Sequence, residues 1–514
     1  MKKQMYGIIG LSAAVVVLGG GLAVLKLTDS SDKGGSSSAA VSDNENVTKG
    51  VGLVLVEDGS KLPGSHTADE EHYHGVVDSV KVKNSSGELE AVRTSADDAE
   101  TTAYTLKGYE DVKLDTALVK ALVYNVDNIA STSIIEENCT DMDKFGLADT
   151  AVELDVTYTS GVERKLFIGD VSPVTSNTYA RVEGSDTVYT VSSGNLSNYS
   201  KELKDFVSAT LLDDPGSTSQ PKVESLRLER EDIDYDIYLE YSENSDITKS
   251  GGSSAKHVMV EPVSALLKVE SSADITNGMF GLKAEDIVAV HCTDKDIEDA
   301  GLKKPFCRVT MKLEGGVDHV LVLSKPFKDE NNSEFTNAII DGGNVIYKVS
   351  AEKAKWLTVR PIDITSRTII ASYVWNISEL TASAGGKTEK FSISLRDSSM
   401  STTDAKNDDV IVKRNGEEFD TERYRLFYAF LIQCHGEDYA LDEKVPDAEP
   451  MATVTIKDSF LGTETKYDFY DYSVMTSLIA INGECKFYGA KAFVNALTEN
   501  VAKISTGEKY TDAY

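Results

Sequence analysis

The sequence predicts an α+β protein: an N-terminal transmembrane helix followed by three repeated modules in series, each a mainly antiparallel sheet with a helix packed on it. Three observations carry this. A Gly stands five residues before a Tyr in three places, Gly184 with Tyr189, Gly342 with Tyr347 and Gly483 with Tyr488. Each pair follows, by about 40 residues, a Gly-Leu or Ala-Leu pair: Gly146-Leu147, Gly301-Leu302 and Ala440-Leu441. An uncharged run from Tyr6 to Leu25 follows Lys2 and Lys3 and is long enough to span a bilayer as a helix.

The N-terminal run comes first in the chain. Basic residues before it and acidic mass after it orient the N-terminus inwards and place the chain beyond about residue 30 outside the cytoplasm. The run is longer than a secretory h-region and no small-residue cleavage pair follows it directly, which favours a retained anchor over a cleaved peptide. The alternative places cleavage near Ser38-Ala39-Ala40. No Cys follows the run, which excludes a lipoprotein anchor. Residues 1–27 are read as the anchor. Residues 28–75 form a tether, rich in Ser, Gly, Asp and Asn from Thr28 to Lys49, and a lead-in with one apolar strand at Val51–Val56.

The modules are expected at residues 76–212, 222–359 and 368–507. In the first, Val80-Lys81-Val82 and Leu89–Val92 read as opening strands, and Asp115 caps a helix bearing Leu118, Leu122, Val126 and Ile129. After Gly146-Leu147 come the alternating strands of Val152, Leu154, Val156 and Tyr158 and of Leu166 and Ile168. The second module repeats this with Leu226-Arg227-Leu228, Tyr235–Tyr241, Val309, Met311 and Leu313, then Val320 and Val322, interrupted by a polar insertion at Ser245–Ala255. The third opens with Phe391–Leu395 and Val410–Val412, has a helix through Phe427, Tyr428, Phe430 and Leu431, and continues with Val454, Ile456, Tyr467 and Phe469. An acid or Asn before each of Gly184, Gly342 and Gly483 suits a tight hairpin turn with positive φ. Asp213–Pro221 is the clearest linker, and the residues after Thr506 are expected to fray.

The positions shared by all three modules are apolar, Gly and Tyr. No Ser, His, Cys, Asp or Lys with a catalytic partner recurs, so a repeated active site is not expected and the protein is read as non-enzymatic. The chain has no GxSxG, HExxH or Walker lysine, and no cofactor is expected. A formal net charge of −32, from 52 basic against 84 acidic residues, argues against nucleic acid as a partner. His66, Glu70, Glu71, His72 and His74 are the one dense group of metal-capable side chains; in a strand, His72 and His74 would face one way with Glu70 as third ligand, although a polar loop explains the stretch more simply. Asp294, Asp296, Glu298 and Asp299 lack the Gly and distal Glu of a calcium loop and read as a solvated turn. Of the five cysteines, Cys139, Cys292 and Cys434 sit alike before their Leu and read as small buried residues, with a Cys292–Cys307 disulfide as the alternative.

Phe145-Gly146-Leu147, the strand Val152–Tyr158, Leu166-Phe167-Ile168-Gly169-Asp170 and the hairpin from Val182-Glu183-Gly184 to Val188-Tyr189-Thr190-Val191 together resemble the bacterial family called domain of unknown function 4340. The other two modules depart from it, with Leu323-Ser324 where Ile-Gly is expected and Ala440 in place of Gly. The resemblance implies a membrane-anchored envelope protein accompanying an ABC-type export or gliding-type permease complex, and it transfers no catalytic residue. The alternative is a cell-surface glycan- or peptide-binding module using exposed tyrosines; an envelope hydrolase or metal enzyme at His66–His74 ranks third.

Overall fold

The computed structural model describes residues 76–95, 102–126, 129, 131–149, 151–159, 161–216, 218–242 and 256–512. The expected anchor, tether, lead-in strand, histidine group and the insertion at Ser245–Ala255 lie outside these residues. Among the described residues no helix is long and apolar enough to cross a membrane. The chain divides into two compact units. Unit 1 takes the described residues up to Ala103 and Ala121–Ser200, and unit 2 takes Tyr104–Lys120 and everything from Lys201.

Three antiparallel sheets with few helices make up the fold. Sheet 1 has eight strands: β1 (Val77–Asn84), β2 (Gly87–Arg93), β3 (Tyr104–Leu106), β4 (Ser131–Glu136), β5 (Val152–Tyr158), β6 (Glu163–Val171), β7 (Thr178–Val182) and β8 (Val188–Val191). The strands of unit 1 run β2-β1-β5-β6-β7-β8-β4. Sheet 2 comprises β9 (Val223–Arg230), β10 (Ile237–Tyr241), β11 (His257–Glu261), β12 (Ala265–Leu266), β13 (Asp286–Val290), β14 (Cys307–Leu313), β15 (Val317–Leu323), β16 (Phe327–Lys328), β17 (Glu334–Ile340) and β18 (Val345–Ser350). Its order is β12-β11-β10-β9-β14-β15-β17-β18-β13, with β16 on β17. Sheet 3 comprises β19 (Ile377–Ala384), β20 (Lys387–Leu395), β21 (Val410–Arg414), β22 (Glu417–Phe419), β23 (Asp438–Tyr439), β24 (Ala452–Asp458), β25 (Thr463–Asp471), β26 (Thr476–Ile481) and β27 (Glu484–Ala490), in the order β22-β21-β20-β19-β24-β25-β26-β27-β23.

The three follow one course. An opening hairpin pairs its first strand with the first of a later four-strand meander, and the strand made between them in sequence, β4, β13 or β23, lands on the far edge. Alternation of apolar residues sets the register: Val80 lies opposite Val156, and Val156 opposite Arg164, while Leu154 lies opposite Leu166. In sheet 2, Leu226, Leu228, Val309, Met311, Leu321 and Leu323 enter the main core. Val322 points to the other face, where it meets Leu302, Ile339 and Ile346.

The helices are α1 (Thr116–Val126), α2 (Ser193–Leu196), α3 (Val269–Thr276), α4 (Asp294–Asp299), α5 (Pro361–Ile364), α6 (Thr421–Leu431) and α7 (Lys491–Lys503). Asp115 caps α1, its Oδ1 accepting from Ala117 N at 3.0 Å and Leu118 N at 3.1 Å. In α6, Phe427, Tyr428, Phe430 and Leu431 are buried as the sequence predicts, and Phe430 stacks on Phe493 of α7 at 5.1 Å.

Several expectations are corrected. The acidic run 294–299 is not a turn: Thr293 caps it as α4, its Oγ1 accepting from Asp296 N. Sheet 3 opens one strand earlier than predicted, at β19, where two of the inward residues, Ala382 and Ala384, are too small to give a strong alternating signal. All five cysteines are free, so Cys292 and Cys307 are not bridged. Residues 507–512 are not frayed but held. Arg423 donates from its guanidinium to Lys503 O, Gly507 O and Glu508 O and lies 4.5 Å from the centre of the Tyr510 ring. Buried Asn500 exchanges two hydrogen bonds with the backbone of Thr511, at 2.8 and 2.7 Å.

Candidate functional site

In sheets 1 and 2 the Gly-Leu turn packs in a small cluster apart from the main core, and its chemistry is close packing. In sheet 1, Gly146 has φ +65°, and a Cβ there would lie 2.6 Å from Asp170 Cγ and 2.9 Å from Asp170 N. A Cβ on Gly169 would lie 2.2 Å from Phe145 O. Both glycines are therefore required by one contact: the turn Phe145-Gly146-Leu147 lies backbone to backbone on Gly169-Asp170. This seats Leu147, Phe145, Cys139 and Val188 in a small cluster. Arg181 covers it, its Nε donating to Leu147 O at 3.2 Å and its guanidinium 3.8 Å from the Phe167 ring centre.

Sheet 2 loosens the same contact. Ser324 stands at the position of Gly169, and a Cβ on Gly301 would be 3.5 Å from Ser324 Cβ, an ordinary distance. Asn337 ties the turn down, donating from Nδ2 to Ala300 O at 3.0 Å. A cleft of about 450 Å3 lies here, lined by Gly301, Lys304, Phe306, Ser324, Lys325 and Asn337 among others. In sheet 3 the equivalent strand position is Tyr470, which packs with Ala440, Leu478 and Ala480. Ala440 replaces Gly where a ring, not a backbone, is the neighbour. Leu441 packs against the core of sheet 2, and a cleft of about 390 Å3 includes it with Tyr235, Pro262, Asp442, Cys485 and Lys486.

The glycines of the second motif have the positive φ expected, +75° at Gly184, +78° at Gly342 and +84° at Gly483. Only in sheet 3 is the turn the two-residue form, where Asn482 is also at φ +52° and Ile481 pairs directly with Glu484. In sheets 1 and 2 the ladder stops earlier and the loops are longer. Tyr189 lies opposite Ala180, and Tyr347 opposite Ala338 in the main core of sheet 2. Tyr488 faces away from its main core. A register shift between Ile479 and Ala480 moves Phe487 into the inward place and turns Tyr488 to the Ala440 side.

There Tyr488 takes part in an arrangement that sequence reading missed. Tyr488 and Tyr472 both donate to Glu443 Oε1, at 2.7 and 2.8 Å, with ring centres 4.9 Å apart. These bonds, Tyr488's first, hold the Glu443 carboxyl below its usual range, and burial pushes the Tyr488 phenol up. Tyr472 is half exposed, and Val474 and Met475 beside it are exposed. The hint in the sequence is Asp442–Pro450, an extra segment that the third module carries between Ala440-Leu441 and its next strand. Tyr124 and Tyr373 are exposed elsewhere.

Burial pushes the Cys307 thiol up to about 12 and that of Cys434 higher, so neither offers a nucleophile. Among the described residues no group of His, Cys, Asp or Glu is placed to hold a metal ion. Glu70, His72 and His74 lie outside them.

Residues 105–305 match the family model described as domain of unknown function (DUF4340). The DUF4340 match takes in α1, both Gly-Leu pairs that retain Gly, and the Gly184–Tyr189 hairpin; it ends before Gly342, and sheet 3 lies beyond it. No curated protein and no solved structure matches the chain.

Proposed function

We propose that this protein is a non-catalytic, membrane-anchored, extracytoplasmic accessory or scaffold, working with a permease of the ABC or gliding type. In this reading its three sheets are three copies of the DUF4340 module, the second and third divergent. The observation that carries it is the common strand course of the three sheets combined with what their shared residues do. Gly146, Leu147, Gly301 and Leu302 form packed turns, Gly184, Gly342 and Gly483 form hairpins, and none points a reactive group at a common place. An array that spends its repeated residues on packing suits a spacer or docking surface. The apolar run after Lys2-Lys3 supplies the anchor and the family resemblance supplies the class of partner.

Affinity purification of the full chain from native membranes in mild detergents is expected to recover a permease or its ATPase. Recovery of neither, in several detergents, would overturn the reading. Protease added to cells stripped of their outer layers is expected to digest the chain beyond the anchor; resistance before lysis would place the bulk in the cytoplasm and remove the proposal.

The Tyr472–Tyr488–Glu443 group favours a second reading, a glycan- or peptide-binding surface, because two adjacent rings with a carboxylate can stack and hydrogen-bond a polar ligand. Binding on glycan or peptide arrays that disappears with Tyr472→Ala would support it, and absence of any signal would remove it.

A further inference from the structure

An eight-residue pattern recurs outside the Gly-Leu and Gly-Tyr motifs: Asp205-Phe206-Val207-Ser208-Ala209-Thr210-Leu211-Leu212 and Asp363-Ile364-Thr365-Ser366-Arg367-Thr368-Ile369-Ile370. Asp, Ser and Thr keep their places, and apolar residues hold the second position and the last two. All the bonds described next lie within unit 2.

Equivalent atoms of the two copies make equivalent bonds. Asp205 Oδ2 accepts from Glu202 N at 3.0 Å, and Asp363 Oδ2 from Arg360 N at 3.1 Å. One edge of each segment then closes on the residues leading into a helix. Phe206 O accepts from Asp115 N (2.8 Å) and Ser208 N donates to Lys113 O (2.9 Å), just before α1. Ile364 O accepts from Lys268 N (2.8 Å) and Ser366 N donates to Leu266 O (3.0 Å), just before α3. Next the Ser hydroxyl accepts from the Thr N–H two residues on, Ser208 from Thr210 at 3.2 Å and Ser366 from Thr368 at 3.3 Å, which makes a small corner.

After the corner the bonding changes edge and partner. Ala209 O accepts from Ala284 N (2.7 Å) and Leu211 N donates to Leu282 O (2.9 Å), in the connection between α3 and β13. Arg367 O accepts from Gly436 N (2.9 Å) and Ile369 N donates to Cys434 O (3.4 Å), in the connection between α6 and β23. The apolar ends are buried to match: Leu211 joins the core of sheet 2, and Ile369 and Ile370 join that of sheet 3.

We infer that Asp205–Leu212 and Asp363–Ile370 are one clasp used twice. Each donates an extended segment that pairs with the residues leading into one helix and, past its Ser-x-Thr corner, docks on the helix-to-edge connection of the following sheet. That connection is a receiving surface for an extended Thr-apolar-apolar segment, and its occupant is this chain's own preceding clasp. The principle is strand donation within a single polypeptide, backbone bonds giving affinity and the apolar pair giving register. The stretch that follows α7 makes a different contact, returning to Arg423 and Asn500 of the helices of sheet 3.

The test uses the full chain with a site-specific protease sequence inserted between Gly216 and Ser219, cut after purification. The two fragments are expected to elute together at micromolar concentration, because the clasp stays docked after the covalent link is gone. Leu211→Asp in the same protein is expected to weaken their association at least tenfold. Replacing Asp205–Leu212 by the sequence of Asp363–Ile370 is expected to hold it within threefold, with circular dichroism confirming that each variant is folded. Separation of the parent fragments on cutting, an unchanged association in Leu211→Asp, or loss of more than tenfold in the exchange would each overturn the inference.

Discussion

Adding one methyl group at Gly169 should damage unit 1 more than adding one at Gly184, although Gly184 has the unusual backbone angle. At Gly184, with φ +75°, nothing lies within 4 Å of the added atom, so the cost is backbone strain alone, about 1 kcal/mol. At Gly169 the new Cβ would be 2.2 Å from Phe145 O and 3.0 Å from Gly146 C, both backbone atoms that no rotamer change can move. The turn must lift by about 1 Å, which forfeits up to half of the dispersion contacts beneath it. Burial of Phe145 and of Leu147 is worth about 1.5–3 kcal/mol each. Half of that for the two together, added to an overpacking strain of about 1–3 kcal/mol, gives about 2.5–6 kcal/mol. Both tryptophans, Trp356 and Trp375, lie in unit 2, so tryptophan fluorescence would miss the effect. Hydrogen exchange on peptides from β5 to β8 reads it directly. Protection in Gly169→Ala should fall by on the order of 100-fold or more, against about fivefold in Gly184→Ala. Protection within threefold of the parent in Gly169→Ala, or a larger loss in Gly184→Ala, would refute the backbone-contact account.

Further expectations concern charge, the tail and one buried hydroxyl. Lys165 and Lys83 lower the Glu153 carboxyl from 4.5 to about 2, so its pairing stabilises fully above pH 4.5 and is lost as pH falls towards 2. Glu153→Gln should therefore lower stability in urea by up to about 1 kcal/mol at pH 7, with the difference fading at acid pH; a gap independent of pH would sink this. Deleting the residues after Thr506 leaves the Asn500 amide buried without Thr511 and exposes the surface under Tyr510. The urea midpoint read from tryptophan fluorescence should drop by the equivalent of about 3–5 kcal/mol, and an unchanged midpoint would show that the tail is not held. Tyr424 is fully buried and its hydroxyl finds no partner among the described residues, so Tyr424→Phe should leave stability unchanged or raise it by about 1 kcal/mol; a clear loss would point to a hidden partner for that hydroxyl.

The sequence made visible what depends on local pattern. Asp115 before an apolar helical stripe, the alternation from Val152 to Tyr158, and Gly184, Gly342 and Gly483 at positive φ were all legible because each signal lies within a few residues of its effect. Three things were not. Tyr488 shares its spacing from Gly with Tyr189 and Tyr347, yet one register shift at Ile479 reverses its face, and spacing does not record a bulge. Strand β19 was invisible because Ala382 and Ala384 are buried for their smallness. The tail looked polar and loose, but Arg423 holds it by backbone carbonyls, which every sequence has. The reason for Gly146 and Gly169 also needed the structure: each explains the other, and they lie on segments separated by a whole strand.

The held segment bears on how sheet 3 opens. Arg423 lies in α6 and Asn500 in α7, while their partners Gly507, Glu508 and Thr511 belong to one short stretch that touches both helices. Arg423 also reaches Lys503 O at the end of α7, so the two helices are strapped together through backbone atoms. Neither helix can peel away without freeing a guanidinium and a buried amide together. Their local opening thus becomes one cooperative event instead of two independent ones.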